Sequence, residues 1–256
     1  MNLYYEEKGK GSLLLLIHGF PFDHRMWDDL RELLSETFRV VTPDLRGMGK
    51  SPLQESQNVV TMAELADDLA ELLDRLGVGK CTFCGLSMGG YVGWEFWQRH
   101  SGYLEKLIFC DTNAAADTPE GAAQRYATAQ RVESEKSVAF LADGMAGKLL
   151  APRTLTEKPW VVERYRRMVE ENSPQGVAAV ARGMAQRHDF RSKLREVACP
   201  TLVLTGDSDV LSPPADMLAL AESLPDGRFV EIPHAGHLTP MENPHAVAEA
   251  IRHFMQ

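Results

Sequence analysis

The stretch from Cys81 to Phe96 reads CTFCGLSMGGYVGWEF. Its first residues are small or apolar, as expected of a strand covered on both faces. From Tyr91 onward the apolar positions take helical spacing. Between the two halves lies Gly85-Leu86-Ser87-Met88-Gly89, a serine with glycine two places before and two places after it. A strand-to-helix turn this tight leaves no room for side chains at those flanking positions. The glycines therefore imply a serine held exposed in a strained backbone. The first helical turn behind it aims free backbone N–H groups at any negative charge that develops nearby.

Working outward, aliphatic runs recur along the chain: SLLLLIHG from Ser12, FRVVTPDL from Phe38, LEKLIFCDT from Leu104, PTLVLTGD from Pro200 and RFVEIPHA from Arg228. Segments of helical period lie between several of them, at Met26 to Glu36, Thr61 to Leu76 and Tyr91 to His100. This alternation predicts an α/β fold, a mostly parallel sheet with helices on both faces. Thr61 and Glu64 have the spacing of a capping box that opens a helix, and Gly77 suits its end. Residues 113–197 break the pattern. They are rich in Ala, Arg and Met, contain no strand-like run, and are too long for an ordinary connection. They are expected to form a helical cap inserted into a core made of residues 1–112 and 198–256.

The net charge of −9 in 256 residues offers no basic surface for nucleic acid or anionic lipid. The apolar run Leu13 to Ile17 is too short for a signal segment or a membrane span, so a cytoplasmic location is expected. Four cysteines are few for this length and suit reduced, buried thiols. Cys81 and Cys84 have C-x-x-C spacing, but inside a strand such positions point to opposite faces, and no second pair completes a metal site. Packing is the expected role.

Open parallel sheets bind ligands beyond the carboxyl ends of their strands. Ser87, Asp207 with Asp209, and His234 with His237 all follow strand-like runs and leave that edge together. Asp111 follows another strand and is an alternative acid to Asp209. A nucleophile, an acid and a base therefore leave the same edge of the sheet.

With HGFPFDHRMW at His18, PDLRGMGKS at Pro43 and the order Ser87, Asp209, His237, the chain resembles the α/β-hydrolase fold enzymes over nearly its whole length. It is most similar to the capped carboxylesterases, 3-oxoadipate enol-lactonases and cofactor-free haloperoxidases. That resemblance implies Ser87 as nucleophile, His237 as general base and acid, and Asp209 as the residue that orients the imidazole. His237 is favoured over His234 because HAGH matches the family's motif at its second histidine. The resemblance further implies an oxyanion hole made by the backbone N–H groups of Phe20 and Met88. His18 would brace the oxyanion loop, and Asp44 and Arg46 would order the loop beneath the site. No metal or organic cofactor is implied. The expected partner is a small ester or lactone. A peroxide-using perhydrolase, or a small-molecule receptor on the same fold, are the alternatives. The family usually carries an antiparallel hairpin ahead of the His18-Gly19 strand, for which only about ten residues are available here, so the first strand is expected to be short or missing. Met145, Met168 and Met184 are candidates for core filling or for the pocket wall.

Overall fold

A computed structural model describes all residues, 1–256. Seven strands form one sheet: β1 (Tyr5–Lys8), β2 (Leu13–Ile17), β3 (Arg39–Pro43), β4 (Cys81–Leu86), β5 (Leu104–Cys110), β6 (Thr201–Gly206) and β7 (Gly227–Ile232), in the order β1-β3-β2-β4-β5-β6-β7. β2 through β7 run parallel, and β1 pairs antiparallel with β3, Tyr5 opposite Pro43. The first strand is thus short rather than missing. Every residue of β2, β4 and β6 is buried, which is why these strands read as continuous apolar runs instead of alternating ones.

Helices α1 (Asp28–Leu34), α2 (Met62–Arg75) and α3 (Met88–His100) follow the first strands, and α9 (Pro214–Ser223), α10 (Thr239–Glu242) and α11 (Pro244–Met255) follow the last. α2 opens on the expected capping box: the Thr61 hydroxyl accepts from Glu64 N–H, and the Glu64 carboxylate accepts from Thr61 N–H at 2.8 Å. Its start is therefore set by local chemistry as well as by its apolar face. α3 begins three residues earlier than its apolar spacing suggests, directly after Ser87. Gly89 and Gly90 are poor helix formers, yet packing of the turn against its neighbours holds them helical.

Between β5 and β6 the chain makes no strand. It runs through α4 (Pro119–Glu135), α5 (Ala139–Leu149), α6 (Pro152–Glu157), α7 (Pro159–Glu170) and α8 (Pro174–Met184). α4 and α8 pack on one another, as do α5 and α7, and they share one continuous hydrophobic core with the sheet. Met168 is buried in that core, while Trp160 lies on the surface, 64% exposed. No helix is long and apolar enough to cross a membrane.

The thiols are free, and Cys81, Cys84 and Cys110 are buried. Cys84 on β4 faces Cys110 on β5 with the sulfurs 3.7 Å apart, and burial pushes the Cys81 thiol up to about 12. The Cys81 thiol therefore stays protonated and unreactive at neutral pH.

Candidate active site

β2 and β4 are neighbours at the point where the winding of the sheet reverses, and the loops that leave them meet there. Ser87 sits at φ 53°, ψ −112° between β4 and α3, a conformation costly for any residue with a side chain. The turn is locked from both sides. A Cβ on Gly85 would overlap the Gly89 carbonyl, and one on Gly89 would overlap the carbonyl of Ile17 at the end of β2. Ser87 N–H donates to Cys110 O at 2.9 Å, and Thr112 Oγ1 donates to Ser87 O at 2.7 Å. The hydroxyl is left to one partner, His237 Nε2, at 2.9 Å.

On its other side, His237 Nδ1 lies 2.9 Å from Asp209 Oδ2. Asp209 Oδ1 accepts from the N–H groups of Leu211, at 2.8 Å, and Ser212, at 3.1 Å. Burial works against a charge on Asp209, but the His237 hydrogen bond and the two N–H donors outweigh it and hold this carboxyl below the usual range. The structure thus brings together Ser87, His237 and Asp209. It keeps the three alternatives apart from that chain of hydrogen bonds. Asp207 accepts from His234 N–H at 2.8 Å and shapes the turn after β7, in which His234 itself is exposed. Asp111 is fully buried and accepts from Gly206 N–H, at 3.0 Å, and the Thr239 hydroxyl, at 2.5 Å. Burial and the charge of Asp209 push the Asp111 carboxyl well above its usual pKa and favour its neutral form.

The loop after β2 approaches the same serine. His18 Nε2 accepts from Leu45 N–H at 3.0 Å, which leaves the proton on Nδ1 to be donated to Gly19 O at 2.8 Å. Burial lowers the His18 pKa and keeps the ring neutral. Phe22 N–H also donates to Gly19 O, at 3.0 Å. Because a trans peptide is planar, fixing this carbonyl fixes the Phe20 N–H on its opposite side. That N–H donates to no group of the protein. Met88 is the first residue of α3, so its N–H has no acceptor within the helix. A Cβ placed on Gly19 would stand 3.4 Å from Ser87 Cβ, which shows how near the two loops come.

Asp44 accepts from His24 N–H and Nδ1, each at 2.7 Å, and from Lys50 N–H at 2.8 Å, while Arg46 makes a buried pair with Asp68 at 2.6 and 2.8 Å. Both order the loop after β3. Asp23, His24 and Asp44 come close enough to ligate a cation, but their ligand atoms are already engaged with one another, with Arg25 and with the backbone.

Ser87, His237 and Phe20 line a cavity of about 260 Å³, walled further by Tyr91, Asn113, Leu149, Leu211 and Ser212. Met145 and Met184 also line it, whereas Met168 does not. Three charged groups in this wall, Asp117, Arg125 and Arg187, carry no motif and were not legible from sequence. Asp117 precedes α4, Arg125 lies on α4 and Arg187 lies past α8, so only the packing of those helices brings them together.

Glu242 likewise has no signal in the sequence. It is 2% exposed, and each carboxylate oxygen serves two donors. Oε1 accepts from Gly236 N–H at 2.8 Å and Leu238 N–H at 3.3 Å, on either side of His237. Oε2 accepts from Ala151 N–H at 2.8 Å and Thr154 Oγ1 at 2.6 Å, at the start of α6. The His237 N–H itself donates to Leu149 O at 2.9 Å. The loop that carries His237 is therefore tied to the helices between β5 and β6 through Leu149, Ala151 and Thr154. Glu242→Ala leaves buried donors unpaired and is expected to cost about 3 kcal/mol. Glu242→Gln should be scarcely milder, because its NH₂ must face a pair of N–H or O–H donors. Urea midpoints of the two variants check this.

A sheet reversing its winding beside a strained serine turn, with a histidine and an acid delivered by later strands, defines a class. The chain belongs to the alpha/beta hydrolase fold family, whose model matches residues 12–244. Among solved structures it is similar to a thermophilic esterase from Thermogutta terrifontis with malate bound, at 46% identity, TM-score 0.96, over 99% of this chain and 92% of that one. It is similar to the enol-lactonase of Burkholderia xenovorans, at 28% identity and TM-score 0.89, over 99% and 96% of the two chains. A bromoperoxidase from Bacillus anthracis follows at 26% identity and TM-score 0.85, over 99% and 95%.

Proposed function

We propose that this protein is a serine hydrolase of small carboxylic esters or lactones that works through an acyl-enzyme. The observation that carries this reading is the unbroken chain Ser87 Oγ, His237 Nε2, His237 Nδ1, Asp209 Oδ2, with 2.9 Å at each hydrogen bond, on the wall of a small cavity. His237 Nε2 takes the hydroxyl proton as Ser87 Oγ attacks the acyl carbon. Asp209 holds the tautomer that leaves Nε2 free to accept, and its charge stabilises the imidazolium that forms. The carbonyl oxygen becomes an oxyanion, received by the N–H groups of Phe20 and Met88, which lack other acceptors. The leaving alkoxide takes the proton back from His237. Water then repeats the sequence: its proton goes to His237, its oxygen to the acyl carbon, and Ser87 leaves with the proton returned.

Residues 113–197 act as a cap in this reading, since Arg125, Met145, Leu149, Met184 and Arg187 from that stretch wall the cavity. At about 260 Å³ the cavity lies just below the roughly 300 Å³ at which pockets for drug-sized ligands begin. Short and medium acyl groups should therefore be the better substrates, with selectivity graded by about 1–3 kcal/mol per methylene. A series of 4-nitrophenyl esters from acetate to palmitate checks this; highest kcat/KM on palmitate would sink the capped model.

The likeness to a bromoperoxidase favours a second reading of the same site. Hydrogen peroxide in place of water would release the acyl group as a peracid and restore the Ser87 hydroxyl. Adding peroxide to the ester assay and measuring peracid separates the two outcomes.

A further inference from the structure

Two guanidiniums face one carboxylate in the wall of the Ser87 cavity, leaving one uncompensated positive charge. Arg125 gives Nε and Nη2 to the carboxylate of Asp117. Its Nη1 meets only the thioether of Met184, at 3.5 Å, and sulfur is a weak acceptor. Arg187 gives Nη1 to Asp117 and Nε to Ala115 O at 2.9 Å, and its plane lies over the Tyr91 ring, 4.2 Å from the centroid. Arg187 Nη2 has no partner, and it is not among the buried polar atoms cut off from space. A latch built only to hold the helices would pair these donors with oxygen. Here Asp117 holds both guanidiniums, with the Tyr91 face and Met184 O also holding Arg187, and Arg125 Nη1 and Arg187 Nη2 are left without an oxygen partner.

Asp117 and Arg187, with Asn113, Leu211 and Ser212, also line a wider cleft of about 560 Å³ next to the catalytic cavity. The charged cluster stands at the partition between the two. A substrate whose ester carbonyl reaches Ser87 shares this small cavity with the two guanidiniums.

We propose that Arg125 and Arg187 form a carboxylate-recognition subsite, so that the preferred substrates are esters or lactones bearing a free carboxylate. This rests on the ester-hydrolase reading and names its substrate class. Asp117 is a positioning residue: it orients both forks toward the space that the substrate carboxylate enters. Arginine suits this task because its planar, permanently charged fork matches a carboxylate in two parallel hydrogen bonds.

The test compares charged and neutral substrates of matched length. One arm places the charge on the acyl side, 4-nitrophenyl hemisuccinate against 4-nitrophenyl pentanoate. The other places it on the alcohol side, 3-acetoxypropanoate against propyl acetate. Wild type is expected to prefer the charged member of at least one pair by about tenfold in kcat/KM. In Arg125→Ala the charged-to-neutral ratio should fall about 10- to 100-fold, as expected for losing a charge-assisted hydrogen bond, and Arg125→Lys should restore part of it. Binding of succinate to Ser87→Ala, followed by calorimetry, reads the subsite without turnover and should weaken at least about tenfold when Arg125→Ala is added. Hydrolysis of both members with a ratio indifferent to Arg125, and succinate binding equally indifferent, would overturn the subsite and leave the hydrolase reading standing. Arg125-dependent succinate binding with no ester cleaved would do the reverse.

Discussion

Ser87→Ala should lower ester turnover by about 10⁴- to 10⁶-fold while leaving the fold intact. Members of a nucleophile, base and acid chain act as a unit, so losing the nucleophile forfeits nearly everything they contribute together. What remains is the polarisation of a bound ester by the free N–H groups at Phe20 and Met88. Stability should change by no more than about 0.5 kcal/mol, because the Ser87 hydroxyl has a single partner, His237, in the structure. The strained backbone at φ 53° persists in the variant, since alanine also carries a Cβ and the turn is closed by Gly85 and Gly89 against backbone carbonyls. Steady-state hydrolysis of 4-nitrophenyl butyrate, paired with thermal melts, checks both halves of the expectation. Labelling of wild type, but not of Ser87→Ala, by a fluorophosphonate gives an independent reading. Retention of more than about one per cent of turnover would remove Ser87 from its role.

The parts of this architecture legible in the sequence are those in which local chemistry and global packing ask for the same residues. β4 and β6 are buried throughout and mostly apolar or small because both faces are covered, and the Thr61–Glu64 box marks the start of α2 within four residues of sequence. The elbow glycines are legible for a harder reason: carbonyls of Gly89 and Ile17 occupy the space a Cβ would need, so no other residue fits. β1 is less visible. Tyr5–Lys8 carries two glutamates and becomes a strand only because β3 offers it an edge. The start of α3 is obscured by Gly89 and Gly90, whose weak helix propensity argues for a loop until the turn is assembled. The segment expected from Met26 to Glu36 divides into a tight turn at His24–Trp27 and the shorter α1. The charged cluster in the cavity was beyond reach. Asp117, Arg125 and Arg187 are spread over seventy residues and converge only through packing of α4 on α8, which no spacing rule encodes.

Two buried acids stand at the ends of neighbouring strands, β5 and β6, and their exchange for asparagine should have opposite consequences. Asp209→Asn should cost about 10⁴-fold in turnover. The amide presents an N–H₂ or a weaker acceptor to His237 Nδ1 and favours the tautomer whose Nε2 carries the proton, which cannot accept one from Ser87. Asp111→Asn should be mild, because burial and the nearby charge of Asp209 raise the Asp111 pKa well above the usual range and favour the neutral form that asparagine mimics. The neutral form is favoured at Asp111 and the charged form at Asp209 because Asp209 has His237 and the N–H groups of Leu211 and Ser212 to stabilise it. The two exchanges also differ in their effect on stability against pH. A carboxyl whose pKa is raised by folding contributes stability at acid pH that is lost as pH climbs through the raised value, since the folded state then binds more protons than the unfolded one. Asp111→Asn removes that loss, so its melting temperature should gain on wild type as pH rises above the ordinary carboxylate range. The pKa of Asp209 is lowered, so its stabilisation is present above that range and fades on acidification. Asp209→Asn should lose stability relative to wild type at neutral pH and draw level in acid. Turnover and melting curves of both variants across pH 4 to about 9 test the assignment. A large loss of turnover in Asp111→Asn with a mild one in Asp209→Asn would move the acid to the end of β5.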